Sequence, residues 1–186
     1  MSDYFAHPTS VIDEGAVVGE GTRVWHWCHI MKDAVIGKNC NIGENAFIES
    51  GVVLGNNVKV KNNVALYTGL ECEDNVFIGP NAVFTNVANP RSFIDRKSEF
   101  KKTIIKEGAT VGANATIVCG HDIGEYAFVG AGSVVTKSVP AYTMVVGNPA
   151  KKVAYVCKCG YKLNSNLSCP ECGKKYKSDD NGIRPA

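Results

Sequence analysis

The feature that narrows the fold most is a period of six. Every sixth residue from Ile12 is apolar: Ile12, Val18, Val24, Ile30, Ile36, Ile42, Ile48, Leu54, Val60, Leu66, Cys72, Ile78 and Phe84. The residue after it is often Gly, as at Gly19, Gly37, Gly43, Gly55 and Gly79. The residue two before it is usually small or β-branched, as at Ala16, Thr22, Cys28, Ala34, Cys40 and Ala46. The beat stops after Phe84 and resumes at Ile105, Val111, Ile117, Ile123, Val129 and Val135. A strict six fits neither a helix, with a period of about 3.6, nor an isolated strand, with a period of about 2. It predicts an all-β chain wound as a parallel β-helix, each hexapeptide a short strand and a turn, three closing one triangular coil. The large apolar residue points into the prism, the small one sits near the corner, and Gly or Asn relieves the turn. A β-sandwich would need alternation of period two and would not hold phase over so many units.

At 186 residues the chain has room for one such domain and an appendage. The net charge of +2 gives no electrostatic case for nucleic acid. No apolar run approaches the ~18 residues of a membrane span. Met1-Ser2-Asp3-Tyr4 has no basic-then-apolar signal stretch. A cytoplasmic protein is expected.

The eight cysteines divide in two. Cys28, Cys40 and Cys72 fall on the beat as small core residues, and Cys119 reads as a strand residue. Cys157, Cys159, Cys169 and Cys172 lie beyond the repeat, in a stretch of different composition from residue 154 to 186. Cys169-Pro170-Glu171-Cys172-Gly173 has the form of a zinc knuckle. Cys157-Lys158-Cys159-Gly160 is one residue short of it. Without an export signal, metal is favoured over disulfides, and a structural zinc in a small Cys-rich ribbon is the reading. Residues after Tyr176 read as disordered.

Three stretches depart from the repeat. Arg23-Val24-Trp25-His26-Trp27-Cys28-His29 crowds two Trp and two His near one corner; the prism cannot take both indoles, so a subunit or a ligand must cover one. Lys59 to Tyr67 places Lys61, Asn62, Asn63 and Tyr67 at a corner and the next strand. Residues 85–103 form a polar excursion with no hexapeptide phase, where a rigid scaffold would carry a site. Behind it, Val111-Gly112-Ala113 and Val129-Gly130-Ala131 leave a smooth groove, and Val145 to Lys152 close the prism.

The loop after about four coils, the Gly-Ala units and the closing Val146-Gly147-Asn148-Pro149-Ala150-Lys151 together resemble the left-handed β-helix (hexapeptide-repeat) acyltransferases over roughly residues 7–153. The resemblance implies left-handed coils, a homotrimer with active sites between subunits, and acetyl-CoA as co-substrate along the cleft. Within the family, Arg23 to His29, Val58 to Val64 with Tyr67, Phe84-Thr85-Asn86-Val87-Ala88-Asn89-Pro90-Arg91 and Val118-Cys119-Gly120 are similar to nucleotide-sugar N-acetyltransferases acting on 3-amino uronates. The substrate implied is UDP-2-acetamido-3-amino-2,3-dideoxy-glucuronate, in lipopolysaccharide O-antigen biosynthesis. A cysteine-rich tail is not uniform in that family, and its pattern does not demand a His at 121.

A thioester is already activated and a neutral amine attacks it directly, so orientation matters more than a base. Asn86, at the mouth of the loop, is the candidate to orient the amine; His26 and His29 are the base candidates. Arg91 suits a carboxylate or diphosphate. Arg23, Asn62 and Tyr67 would complete the nucleotide-sugar cleft. By the family architecture, Ala113 and Ala131 would face the pantetheine arm, Pro149 the adenine, and Lys151 and Lys152 the 3′-phosphate. His121 reads as a polar turn residue. Three rivals follow from the same residues. One is another acetyltransferase of this fold, although residues 85–103 hold no His for the antibiotic type. The second is a γ-carbonic-anhydrase-like metal enzyme using His26, His29 and His121. The third is a binding scaffold whose tail recruits a partner.

Overall fold

The computed structural model describes residues 3–179 and 182–186. The hexapeptides are two-residue strands that stack into three parallel faces. The first face runs Phe5–Ala6, Arg23–Val24, Asn41–Ile42, Lys59–Val60, Phe77–Ile78, Thr110–Val111, Phe128–Val129 and Thr143–Val146. The second runs Val11–Ile12, His29–Ile30, Phe47–Ile48, Ala65–Leu66, Val83–Phe84, Thr116–Ile117 and Val134–Val135. The third runs Val17–Val18, Val35–Ile36, Val53–Leu54, Leu70–Cys72 and Thr103–Ile105, continued by bridges at Ile123 and Val139. Arg23 pairs with Asn41, and Asn41 with Lys59, so one coil is 18 residues.

The second residue of each strand fills the prism. Ile30, Ile42, Ile48, Leu66 and Ile78 have no solvent exposure, and the corner residues Ala34, Val52, Val58 and Ala115 are sealed with them. One contiguous core therefore runs from Val24 to Val145. No strand of two residues is stable alone; each coil is held by its neighbours.

Glycine and asparagine divide the turn between them. Asp33, Asn39, Asn45, Asn57, Asn63, Asn75, Asn81 and Asn114 hold the left-handed backbone, at φ values from 55° to 63°. The Gly directly after a strand has another reason. A Cβ on Gly37 would lie 2.5 Å from the Gly55 carbonyl oxygen, in the coil below. Close coil stacking, not turn conformation, requires Gly there.

The excursion spans 85–102. Cys72 pairs with Ile105, 33 positions on instead of 18, and Thr103 already pairs with Leu70, so the loop ends one residue earlier than its composition indicated. Cys119 is buried in a turn rather than a strand, where its N–H donates to Thr85 Oγ1. The last coil is shorter: Val129 pairs with Val145. Lys151–Tyr155 then turns back antiparallel on Thr143–Val146.

The tail is not without structure. Tyr176–Asp179 and Gly182–Pro185 form an antiparallel hairpin, contrary to the disorder expected after Tyr176. Too short for a periodic signal, it is fixed by burying Tyr176 and Ile183 against Tyr142, Cys157 and Cys169. No helix among the described residues is long and apolar enough to cross a membrane.

Candidate functional site

The three faces meet in three corners, and the departures from the repeat sort onto them. The corner between the first and second faces is a column of stacked turns. Its carbonyls accept from the coil below: His26 from Asn45 N–H at 2.9 Å, Glu44 from Asn63, Asn62 from Asn81, Pro80 from Asn114, and Ala113 from Gly132 at 2.8 Å. His26, Asn62 and Ala113 thus share one line, which Ala131 and the turn at Pro149 continue.

At the head of this column His26 stacks on His7, ring centroids 3.6 Å apart, and packs beside Trp27. Trp27 takes the left-handed turn position, φ 53°, and is 60% exposed. Trp25 is half-buried and its Nε1 donates to Asn41 Oδ1 at 2.9 Å. Neither indole enters the prism. A cavity of about 420 Å³ opens here, lined by Trp25, His26, Glu44, Lys61 and Asn62 among others. Arg23 lies across Trp25 from it, in a shallow pocket with Phe5. At the far end Lys151 and Lys152 are exposed, with Lys152 Nζ 3.4 Å from the Tyr155 ring centroid.

The corner between the second and third faces carries Tyr67, the excursion loop and His121. Tyr67 ends an aromatic line down the second face: His29 to Phe47 at 5.7 Å, then Phe47 to Tyr67 at 6.1 Å. His29 Nε2 is held 3.1 Å from Asp13 Oδ1. The loop leaves directly below Tyr67. Its mouth is closed by the Lys101 N–H donating to the Asn86 carbonyl at 2.8 Å and by a Lys102–Glu71 ion pair at 2.7 Å. Asn86 is half-buried on this rigid edge. Within the loop, Arg96 pairs with Glu99 at 2.7 Å and Arg91 Nη1 donates to the Pro90 carbonyl. The loop lines an open cavity of about 480 Å³, bordered by Arg91, Phe93, Arg96 and Phe100 among others. Arg96 Nε is itself buried, without a partner among the described residues.

One chain therefore brings together His26, Asn62, Ala113 and Ala131 on one corner, and Tyr67, Asn86 and Arg91 on another. It does not bring the histidine candidates to Asn86. His29 lies three coils above Val83, roughly 14 Å at the usual strand spacing, and His26 is on the other corner. His121, read from the sequence as a turn residue, lies at Asn86's own corner in the next coil. Sequence reasoning missed Asp13, the His7 stack and Arg96. Asp13 and His29 are 16 residues apart, close to one coil, which is the signal that a reading by coil would catch. His26, His29 and His121 lie on separate lines of one chain, and the only group of three or more metal ligands among the described residues is elsewhere.

That group is Cys157, Cys159, Cys169 and Cys172, whose Sγ atoms all lie within 4.8 Å of one another. Burial opposes ionisation of Cys157, but the Cys159 N–H, the Tyr176 hydroxyl and neighbouring thiols bring its thiol down to about 6. Cys28, Cys40 and Cys72 are the opposite case. Burial pushes their thiols up, as expected of inert core residues.

Comparison with known proteins agrees with this architecture. Residues 15–50 match the family described as bacterial transferase hexapeptide (six repeats), and residues 34–68 and 102–137 match the hexapeptide repeat of succinyl-transferase. The chain is 49% identical over 178 residues to dTDP-3-amino-3,6-dideoxy-alpha-D-galactopyranose 3-N-acetyltransferase of Aneurinibacillus thermoaerophilus, covering 95% of this chain and 92% of that protein. Among solved structures, the acetyltransferase domain of PglB from Neisseria gonorrhoeae FA1090 shares the fold at 23% identity and TM-score 0.53, over 81% of this chain and 57% of that one. A mutant of AntD, an N-acyltransferase from Bacillus cereus solved with dTDP and coenzyme A, shares it at 19% identity and TM-score 0.51, over 83% of each chain. The chain belongs to the hexapeptide-repeat acyltransferases, and it is an acetyltransferase.

Proposed function

We propose that the protein transfers an acetyl group from acetyl-CoA to the 3-amino group of a nucleotide-linked amino sugar. The observation that carries this is the near-full-length similarity to a nucleotide-sugar 3-N-acetyltransferase. In the reaction the neutral amine attacks the thioester carbonyl. The C–N bond forms, the C–S bond breaks, and the departing thiolate takes the proton that the nitrogen loses. Asn86 orients the amine through its side-chain carbonyl. Asn62, Tyr67 and Arg23 flank the nucleotide sugar. Arg91 meets its anionic group, and Arg96, which lines the same loop cavity, is a second guanidinium for it. Acetyl-CoA lies along the corner of Ala113, Ala131 and Pro149, with Lys151 and Lys152 toward its 3′-phosphate. The homotrimer, with each site between two copies, belongs to the same reading, because one chain splits these residues between two corners.

Two acceptors compete. The loop Phe84 to Arg91 supports UDP-2-acetamido-3-amino-2,3-dideoxy-glucuronate, of O-antigen biosynthesis. The Aneurinibacillus relative supports a dTDP-3-amino-3,6-dideoxyhexose. A thiol-release assay with acetyl-CoA and both acceptors, beside their 4-amino isomers, decides. Turnover confined to the 3-amino uronate establishes the first, and turnover on the dTDP sugar replaces it with the second. Turnover only on 4-amino sugars, or none, removes the proposed 3-amino specificity.

A further inference from the structure

The cysteine cluster lies at the third corner, away from both columns of the candidate site. Its geometry is that of a ligand set. Cys157 and Cys172 sulfurs are 3.5 Å apart, Cys159 and Cys169 3.5 Å, and Cys159 and Cys172 3.6 Å. Four sulfurs at about 2.3 Å from one tetrahedral ion stand about 3.8 Å from each other, close to what is seen. The short first half is closed by its own turn: the Cys157 N–H donates to the Tyr161 carbonyl at 2.8 Å, and the Gly160 N–H to the Cys157 carbonyl at 2.8 Å. Gly160 and Gly173 both take the left-handed region, φ 91° and 71°, so each half presents its pair of thiols from a tight turn. Packing alone gives no reason for this convergence. Cys159 and Cys172 are exposed, and among the described residues the buried cluster that joins the ribbon to Tyr142 of the last coil has five members, of which Cys157 and Cys169 are two. So small a core needs a staple.

The cluster is also wired to the solenoid. The Tyr176 hydroxyl donates to Cys157 Sγ at 3.1 Å and accepts from the Lys158 N–H at 2.9 Å. The Tyr176 ring packs on Tyr142 at 5.5 Å, and Tyr142 stacks on Tyr126 at 5.4 Å. Tyr126 donates to Glu107 Oε1 at 2.7 Å. Glu107, Tyr126 and Tyr142 occupy one corner of three successive coils, and the Val156 N–H donates to the Tyr142 carbonyl at 2.8 Å. We propose that Cys157, Cys159, Cys169 and Cys172 hold one zinc-class divalent ion, and that this ion clasps the ribbon onto the last three coils as a structural lock. Four thiolates leave no open position for chemistry, and the Tyr176 hydroxyl is the outer partner that orients one of them.

The test uses the full chain, purified under reducing conditions and loaded with zinc. Metal analysis gives one ion per chain, and cobalt substitution gives thiolate-to-metal charge-transfer absorption. Cys172→Ser loses the stoichiometric ion; Tyr176→Phe keeps it with affinity lowered about 10- to 100-fold. Stripping the ion speeds hydrogen exchange at the Tyr142 and Val156 amides at least tenfold, leaving residues 30–66 unchanged. Fully reduced thiols with no bound ion, or unchanged binding in Cys172→Ser, overturn the site. Unchanged exchange at Tyr142 after stripping overturns the lock.

Discussion

Asn86 is the residue on which the proposed chemistry turns, and its setting explains why. The strand Val83–Phe84 holds it from one side, and its own carbonyl, bonded to Lys101, closes the loop mouth from the other. Its backbone is therefore fixed while its side chain is left for an amine. Asn86→Ala removes the acceptor without touching the core, so kcat is expected to fall about 100-fold, the scale of losing a positioned contact, with an unchanged melting temperature. A fall below threefold would move the orienting role elsewhere. The histidines are a contrast. His26 and His29 stood out in the sequence because imidazole and indole interrupt a monotonous repeat, but the period says only which position of a turn a residue holds. It does not say which loop residues return to that corner. His121 shows this: its distance from Asn86 in sequence is set by the loop, and only the fold puts them on one corner in neighbouring coils.

At the level of the repeat, the two kinds of glycine make a sharp comparison. Gly37 has no room for a methyl, since a Cβ there meets the Gly55 backbone; Gly51, at φ 77°, has open space around its Cβ. Gly51→Ala therefore costs only the left-handed penalty, about 1–2 kcal/mol. Gly37→Ala must push neighbouring coils apart and should cost more, beyond about 2 kcal/mol. Denaturant midpoints of the two variants in the same buffer check the order, and a reversed order would show that coil spacing is not what selects Gly after the strand. The period was legible because each coil repeats one physical problem, a buried aliphatic and a tight corner, every 18 residues. The C-terminal hairpin was not legible, because two four-residue strands solve their problem once, through Tyr176 and Ile183. Composition there, rich in Lys, Asp and Asn, resembles an unfolded tail until the tyrosine ladder that receives it is in view.

For the molecule as a whole, the division of the candidate residues between two corners has a consequence that can be measured. The proposed acetyl-CoA groove follows Ala113 and Ala131; the proposed amine-orienting side chain lies across the second face. If one chain built a complete site, the cofactor would have to span that face, along which Val11 and Val83 are exposed and His29 and Phe47 half-buried. Two copies set corner to corner solve this by joining the groove of one to the loop of the next. Ala131→Tyr fills the groove at an exposed position, and Asn86→Ala disables the loop; each variant alone should be nearly inactive. Co-expressed in equal amounts, they assort at random. A site drawn from two chains then has one chance in four of taking an intact groove from one and an intact Asn86 from the other, so about a quarter of wild-type activity returns. A site drawn from one chain regains nothing, since every chain carries one lesion. Activity of the mixed complex against the sum of the separate variants distinguishes the two, and no gain over that sum would place both halves of the reaction on a single chain.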